Sequence, residues 1–295
     1  MALSIFTSGA AMSSTNALNK SNSILSTAME RLGTGKRINS AADDAAGLQI
    51  ATRLQGQVNG MGVAQRNVSD ATAMLQTAEG AFDEVTNILY RMKDLATQAS
   101  NDTNGKDDRT AVKAELTELK SELTNIMTNT KYAGETLFGD GTNNATTGGK
   151  LGGSLNFQIG SASSETLTLA LNTGNKLSTA VSSFTGTALE LGIDTGVAAT
   201  DVTATQKLMG DVQTALDNVG SIRSALGANI NRLGHTSANL ANMKDNTTLA
   251  LGNIRDADFA SEATNMTRNQ MLAQTSMSML KQANSMSGMV MSLLG

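Results

Sequence analysis

Two long stretches of the chain carry apolar residues at alternating spacings of three and four. In the first, within residues 50–99, every position of the series except Gln57 is apolar, although hydrophobic residues make up only 40% of the chain. The series is Ile50, Leu54, Gln57, Met61, Ala64, Val68, Ala71, Leu75, Ala78, Phe82, Val85, Leu89, Met92, Ala96 and Ala99. Heptad spacing of this kind places one apolar stripe along a helix, so the sequence predicts a long coiled-coil-like helix.

A second series of the same spacing occupies residues 208–254 and is apolar except at Asn229, Thr236 and Thr247. Its members are Leu208, Val212, Ala215, Val219, Ile222, Leu226, Asn229, Leu233, Thr236, Leu240, Met243, Thr247, Ala250 and Ile254. A shorter series after the turn-like NDTNGKDD contains Val112, Leu116, Leu119, Leu123 and Ile126. The three stripes predict a mainly α fold, a long antiparallel coiled-coil-like helical bundle.

The character of the sequence changes between these helices. FGDGTNNATTGGKLGG, residues 138–153, is rich in Gly, Asn and Thr and is typical of a loop. LNFQIG and ETLTLAL then alternate with period two, which predicts a small β-hairpin near 154–171. The weakly patterned residues 172–205 are interpreted as an irregular stretch leading to the second long helix.

The two ends of the chain combine apolar rows with very little charge. Lys20 is the single charged residue of residues 1–29, and Arg268 and Lys281 are the only charged residues of the last 33. Apolar residues seven apart form one row in the N-terminal segment: Ala11, Leu18, Leu25 and Leu32. The C-terminal segment has two such rows. The first is Leu272, Met279, Met286 and Leu293, and the second is Phe259, Met266, Ala273 and Leu280. Soluble monomers rarely expose such surfaces.

Pairing of the two terminal helices covers only part of these rows. We therefore predict self-association through the termini, with the ends poorly ordered before assembly. The predicted organisation has three segments: an N-terminal helix of an inner core domain in residues 1–40, the helical bundle with its hairpin in 41–254, and a C-terminal helix in 255–295 that pairs with 1–40.

Composition removes several classes of function. A net charge of −4 and a pI near 5.1 argue against nucleic acid as a partner, because phosphate binding needs clustered Lys and Arg. The sequence contains no uncharged apolar run long enough to suggest membrane insertion, and MALSIFTSGA lacks the basic start of a cleaved signal peptide. Pro and Cys are absent, so no proline interrupts a helix and no disulfide forms.

The stretch RLGTGKRINSAADDAAG, residues 31–47, contains the GK of a phosphate-binding loop but does not fit the rest of that motif. A Walker loop requires Gly where Glu30 stands and Ser or Thr where Arg37 stands, so the match fails twice. Asp43 and Asp44 are adjacent and do not converge on a metal; they are expected in the first turn of a helix capped by Ser40.

This stretch is best interpreted as a joint between the terminal helix and the bundle. Two glycines, Gly33 and Gly35, are expected to supply its turn freedom. Its charged residues are candidate contacts with neighbouring subunits, namely Lys36, Arg37, Asp43 and Asp44.

Catalytic signals are weak. His235 is the single histidine and falls between the apolar position Leu233 and Thr236, as expected of an exposed helix residue. Without Cys, a His cluster or a G-x-S-x-G motif, the sequence predicts no catalytic residues, no metal and no cofactor, so an enzyme is not expected.

Several long motifs carry a family resemblance. ERLGTGKRINSAADDAAGLQIATRL and RNVSDATAMLQTAEGAFDEVTNILYRMKDLATQASN resemble the N-terminal signature of bacterial flagellins. LGNIRDADFASEATNMTRNQMLAQTSMSMLKQAN, followed by a terminal SLLG, is similar to the C-terminal signature. The resemblance covers roughly residues 1–140 and 205–295, and the short middle resembles a flagellin without large outer variable domains.

The resemblance implies a structural subunit of the flagellar filament used for motility. It implies an extracellular location, reached through a type III-like export apparatus without a cleaved signal peptide. The implied partners are other flagellin subunits, an export chaperone, and the hook-associated junction and cap proteins. The residues expected to drive polymerisation are Leu18, Leu25, Leu32, Leu272, Met279, Met286 and Leu293.

The resemblance also implies candidate contacts with an innate immune receptor of animals. Arg91, Leu95 and Glu115 stand at the places matching the family's receptor contacts. Tyr90 replaces the Gln usual in receptor-active members, and Lys93 and Asp94 are conservative variants of Arg and Glu.

Two alternatives from other classes stay open at this point. A hook–filament junction protein resembles flagellin at both ends but adapts the filament rather than building it, and would be a trace component of sheared appendages. An enzyme on a helical scaffold would need a converging catalytic cluster, which the sequence does not offer.

Overall fold

The computed structural model describes residues 9–138, 149–169 and 198–294, with side chains throughout these ranges except at 198–201, 287–288 and 290–294. Five long helices occupy these ranges: α1 (Gly9–Thr34), α2 (Ala45–Ala99), α3 (Lys106–Asn129), α4 (Ala198–Arg255) and α5 (Phe259–Leu294). Two antiparallel hairpins pair β1 (Lys131–Tyr132) with β2 (Glu135–Thr136), and β3 (Leu155–Gln158) with β4 (Thr166–Leu169). The predicted mainly α class with a small hairpin region is confirmed.

The predicted hairpin is present, but the predicted irregular stretch is shorter than expected. The β3–β4 ladder pairs Phe157 with Leu167, and both strands lie inside the predicted hairpin region. The irregular stretch was predicted to reach Thr205, but α4 already begins at Ala198, and residues 170–197 lie outside the described ranges. Thr205 is fully buried and its hydroxyl donates to the Val202 carbonyl, so the Thr-rich start joins the helix because packing overrides weak propensity.

The chain divides into two compact units. We name residues 1–58 with 245–295 the terminal unit, and residues 59–244 the bundle unit. The predicted segments 1–40 and 255–295 follow the breaks between helices, whereas the terminal unit also includes the adjoining ends of α2 and α4.

The core of the bundle unit is the predicted heptad stripe. Every series position of α2 from Met61 to Ala99 is buried, as is every series position of α4 from Leu208 to Leu226. On α3, Leu116 and Leu123 are fully buried. Apolar burial on this scale is the main stabilising term, so the stripe explains why these three helices pack.

Side-chain contacts show in which direction α4 runs relative to α2 in the bundle unit. Arg223 Nε donates to Glu79 Oε1 at 2.9 Å, and Lys93 Nζ donates to Gln213 Oε1 at 2.6 Å. Residue numbers rise along α2 as they fall along α4, so the two helices are antiparallel.

An aromatic pair fastens the end of the β1–β2 hairpin to α2. The ring centroids of Phe82 and Phe138 lie 4.8 Å apart in an edge-to-face arrangement, and both side chains are fully buried. Aromatic residues form only 3% of the chain, so a buried contact between two of them is a distinctive feature of this core.

The terminal unit is built on the pairing of α1 with α5. The buried residues are Ser21 and Ala28 on α1, and Glu262, Asn269 and Ala273 on α5. Small side chains at this seam allow the two helices to approach closely.

Candidate functional site

The C-terminal helix α5 presents an apolar row to the surface of the terminal unit. Leu272 is 48% exposed, Met279 60% and Met286 52%. In the parallel row, Ala273 is buried whereas Met266 and Leu280 are half-buried. One of the two predicted rows therefore faces the α1 seam from Met266 to Leu280, while the other stays uncovered. Leu293 lies outside the described side chains.

The N-terminal helix α1 is only partly covered by this pairing. Leu18, Leu25 and Leu32 are all half-buried, and the fully covered seam is made instead by Ser21 and Ala28. The leucine row therefore flanks the seam, and part of its apolar surface remains exposed.

One ion pair and one short ladder hold α1 against the start of α5. Arg31 Nη1 donates to Glu262 Oε1 at 2.9 Å. Beyond it, Lys36 and Asp256 form an antiparallel bridge in which the Arg37 N–H donates to the Arg255 carbonyl at 2.7 Å. These contacts fix where α1 ends relative to where α5 begins.

The end of α1 is shaped by a single glycine. Gly35 has φ of +71°, a left-handed conformation that favours glycine, and its N–H donates to the Arg31 carbonyl at 2.9 Å. Gly33 lies inside α1 and does not share that conformation, so the expectation that it supplies turn freedom is wrong. A glycine near a helix end is tolerated within the helix, and sequence alone does not separate the two cases.

The two aspartates of the joint act on different groups. Asp44 Oδ1 accepts from the Gly47 N–H at 2.8 Å, so Asp44 is the N-cap of α2 and the prediction that Ser40 caps the helix is wrong. Asp43 precedes the helix and its Oδ2 accepts from the N–H groups of Ser40 and Asn39. These backbone donors, with the Ser40 hydroxyl, hold the pKa of Asp43 below its ordinary value.

The basic residues of the joint differ in their contacts. Arg37 Nη2 donates to the Ile254 carbonyl at 2.8 Å and lies 3.9 Å from Asp44 Oδ2. The Lys36 backbone takes part in the bridge, while its half-buried side chain forms no ion pair in the described part of the chain. Arg37 is thus committed within the terminal unit, whereas the Lys36 ammonium is available to a neighbour.

The candidate receptor residues lie in the bundle unit and fall into two environments. Arg91 Nε and Nη2 both donate to Glu115 Oε1, at 2.9 and 2.6 Å, on the exposed surface between α2 and α3. Leu95, by contrast, is only 2% exposed. The structure brings Arg91 and Glu115 together and places Leu95 in the core.

An open groove in the bundle unit was not foreseen from the sequence. It has a volume of about 700 Å³ and lies between α4 and the tip of the β3–β4 hairpin, lined among others by Met61, Ile159, Glu165 and His235. His235 is exposed, as predicted. The groove depends on a hairpin tip packing more than sixty residues away in sequence from His235, so no local pattern indicates it.

The described residues offer neither a metal site nor a membrane-spanning helix. They contain no group of three or more His, Cys, Asp or Glu side chains placed to hold a metal ion. None of the described helices is long and apolar enough to cross a bilayer.

The paired terminal helices, their uncovered apolar row and the heptad bundle define the class: a helical structural subunit that self-associates through its ends. Models of two families match, the bacterial flagellin N-terminal helical region over residues 5–144 and the bacterial flagellin C-terminal helical region over residues 209–294. The chain belongs to the bacterial flagellin family.

Relatives support this membership over the full chain. The chain is 34% identical over 378 residues to Flagellin D of Vibrio anguillarum, covering 100% of both chains, and 38% identical over 271 residues to a flagellin of Halalkalibacterium halodurans, covering 90% of each. The first alignment is longer than this 295-residue chain, in keeping with a short form that lacks large outer domains.

A solved structure shares the fold. A putative flagellar hook-associated protein from Vibrio parahaemolyticus gives a TM-score of 0.56 at 16% identity, covering 72% of this chain and 100% of that one. At this identity the likeness concerns the fold alone, so it does not favour the junction-protein alternative over the full-length flagellin relatives.

Family membership settles the broad function. The chain is a structural protein and not an enzyme; it polymerises through its terminal helices into the extracellular bacterial flagellar filament used for motility.

Proposed function

We propose that the filament forms by burial of the uncovered row of α5, Leu272, Met279 and Met286, against neighbouring subunits, with Leu18, Leu25, Leu32 and Leu293 completing the polymerisation surface. The single observation that carries this proposal is the exposure of that row, 48–60%, in a helix that already has α1 as a partner. Transfer of such side chains out of water stabilises an assembly by roughly 25 cal/mol per Å² of apolar surface.

The test compares two neighbouring positions on α5. Met279→Asp places a carboxylate in the proposed interface, whereas Ser278→Asp places the same charge on an exposed residue of the same turn. We expect Met279→Asp to raise the critical concentration for seeded polymerisation at least tenfold, since burying an unpaired charge is costly, and Ser278→Asp to change it much less. Sedimentation and negative-stain microscopy measure both. Equal effects of the two variants would overturn the assignment of the row.

We also propose that the joint contacts adjacent subunits, chiefly through Lys36, with Arg37, Asp43 and Asp44 holding its shape from within. The support is the difference among the four side chains: Arg37, Asp43 and Asp44 form hydrogen bonds inside the terminal unit, and the Lys36 side chain forms no ion pair in the described part of the chain. Lys36→Glu should then alter filament yield or shape, while Lys106→Glu, at the exposed start of α3, serves as a control for charge alone. Unchanged filaments from Lys36→Glu would contradict the proposal.

Family membership also supports proposals for the export chaperone, the junction and cap proteins, and the export route. An export chaperone is expected to cover the α5 row before assembly, because a monomer with that surface is prone to association. Junction and cap proteins of the hook-associated type would bind the two ends of the polymer, and export through the type III-like route would proceed without a cleaved signal peptide. Chaperone binding is tested by a purified complex that Met279→Asp weakens.

Recognition by an animal innate immune receptor is proposed to use Arg91 and Glu115 directly, with Leu95 supporting the helix from the core. What supports this is the exposure of the ion pair and the burial of Leu95. Arg91→Ala should reduce affinity for the receptor in a binding titration with soluble monomer. Retained affinity would exclude this surface.

A further inference from the structure

Methionine is distributed unevenly between the surfaces of the two units. Seven methionines of the terminal unit are between 46% and 62% exposed: Met12, Met29, Met271, Met277, Met279, Met286 and Met289. In the bundle unit Met243 is 45% exposed, but the four methionines of its core are at most 5% exposed: Met61, Met74, Met92 and Met127. Methionine side chains are therefore exposed on the terminal unit, including the α5 row, and shielded in the bundle core.

We propose that Met279 and Met286 form a reversible oxidation site, and that conversion of their side chains to the sulfoxide keeps a subunit out of the filament. This inference rests on the proposed function, because it assumes that the α5 row is buried on assembly. Both residues belong to that row, at 60% and 52% exposure.

The oxidant is a peroxide, and the step is an oxygen-atom transfer. A lone pair of the thioether sulfur attacks one oxygen of hydrogen peroxide, an S–O bond forms and the O–O bond breaks, and the proton of the attacked oxygen passes to the departing hydroxide. The sulfur is oxidised by two electrons, and the peroxide is reduced to one molecule of water. Methionine sulfoxide reductases reverse the change.

The sulfoxide changes the chemistry of the surface rather than its shape. A flexible apolar side chain becomes a polar one with a strong acceptor oxygen. Burying the acceptor without a hydrogen bond disfavours the interface, and we expect about a tenfold rise in critical concentration for each sulfoxide.

The experiment treats the full-length monomer with a limited dose of hydrogen peroxide, removes the oxidant with catalase, and measures two quantities. Peptide mass spectrometry gives the sulfoxide fraction at each methionine, and seeded sedimentation gives the critical concentration. We expect Met279 and Met286 to oxidise well before Met61 and Met92, and polymerisation to fall with the sulfoxide fraction of α5. Treatment with both sulfoxide reductases should restore it.

Two double variants locate the effect. Met279→Leu with Met286→Leu removes the proposed site, and Met61→Leu with Met92→Leu removes two buried thioethers of the bundle unit. Leu resembles Met in volume and apolarity. The critical concentration of each variant after peroxide is compared with that of the same variant before treatment. An effect of the substitution itself on polymerisation therefore cancels. Peroxide should change the critical concentration of the first variant less than twofold and that of the second as much as that of the unmodified chain.

The outcomes separate this inference from the proposed function. If Met279→Asp blocks polymerisation but full oxidation of Met279 and Met286 leaves it unchanged, the oxidation site is overturned and the interface stands. If Met279→Asp polymerises normally, the interface itself is wrong. Equal peroxide sensitivity of both Leu variants would also overturn the inference, because the effect would then arise elsewhere.

Discussion

Arg31 of α1 and Glu262 of α5 lie 231 positions apart in sequence and form a 2.9 Å ion pair in the terminal unit. Glu262 is buried, whereas Arg31 is partly exposed. The rest of the seam includes small, uncharged side chains such as Ser21, Ala28 and Ala273, which make no directional contact across it. The charged pair and the bridge between Lys36 and Asp256 together specify which turn of α1 faces which turn of α5.

The first prediction concerns this pair. Glu262→Gln removes the carboxylate that pairs with the Arg31 guanidinium, whose Nε is already buried without a hydrogen bond. We expect the opening free energy of α1 and α5, read by hydrogen–deuterium exchange, to fall by about 1–3 kcal/mol.

Glu115→Gln is the matched control, because Glu115 pairs with Arg91 at 2.6 Å but both side chains are about half exposed. Its effect on exchange in α2 and α3 should stay below about 1 kcal/mol. A loss as large as that of Glu262→Gln would show that burial does not set the strength of these pairs.

The second prediction concerns the N-terminus of α2. A Cβ at Gly47 would meet the Asp44 carboxylate and approach Ile38 Cδ1 to 2.8 Å. Gly47→Ala should therefore disturb both the N-cap and the buried Ile38, and lower the free energy of unfolding in urea by about 1–3 kcal/mol.

Gly56 offers the control within the same helix, because nothing lies within 4 Å of its added Cβ. Gly56→Ala should stabilise the chain by up to about 1 kcal/mol, since Ala is the better helix former. If both substitutions moved stability in the same direction, the contact of Gly47 with Asp44 would not be the cause.

The sequence predicted the bundle unit well because burial there follows directly from apolarity at a regular spacing. The same spacing also predicted burial of Ile50 and Met243, but these residues are 40% and 45% exposed. A heptad locates a stripe on a helix but does not say how far along the chain a partner covers it.

The joint was harder to predict in detail. Ser40 and Asp44 are both good N-cap residues, and Gly33 and Gly35 both suit a helix end, so local preference could not choose between them. The bridge between Lys36 and Asp256 fixes the path of the chain, and this path determines which residue caps α2 and which glycine ends α1. The Arg31–Glu262 pair was missed altogether because no local pattern links residues so distant in sequence.

The third prediction concerns pH. The Asp43 pKa is lowered from 3.8, first by the Ser40 N–H, then by the Asn39 N–H and the Ser40 hydroxyl. A carboxyl whose folded pKa is lowered stabilises the folded state at pH values above 3.8, and that contribution is lost as the pH falls through the folded pKa.

Asp43→Asn removes the titrating group. The stability difference between the unmodified chain and Asp43→Asn should be constant above about pH 5 and shrink as the pH falls below 3.8. Urea unfolding at a series of pH values measures it, with a carboxyl NMR titration of Asp43 beside it. A difference that grows on acidification would contradict the assigned hydrogen bonds.

The last prediction concerns Arg223, which joins α4 to α2 in the bundle unit. Its Nε donates to Glu79 Oε1 at 2.9 Å, and its Nη2 lies 3.0 Å from Asp83 Oδ1. The two carboxylates raise the pKa of Arg223, and the hydrogen bond that Arg223 donates to Glu79 is the largest cause.

Because the Glu79 side chain is 33% exposed and that of Asp83 58%, solvent screens the second contact more strongly. Double-mutant cycles that combine Arg223→Met with Glu79→Gln or with Asp83→Asn should give coupling energies of about 1 kcal/mol and below about 0.5 kcal/mol respectively. Arg223→Lys should lose most of both, since a single ammonium does not reproduce the fork of the guanidinium. A larger coupling to Asp83 than to Glu79 would mean that the more exposed contact dominates in solution, contrary to the burial of the two carboxylates.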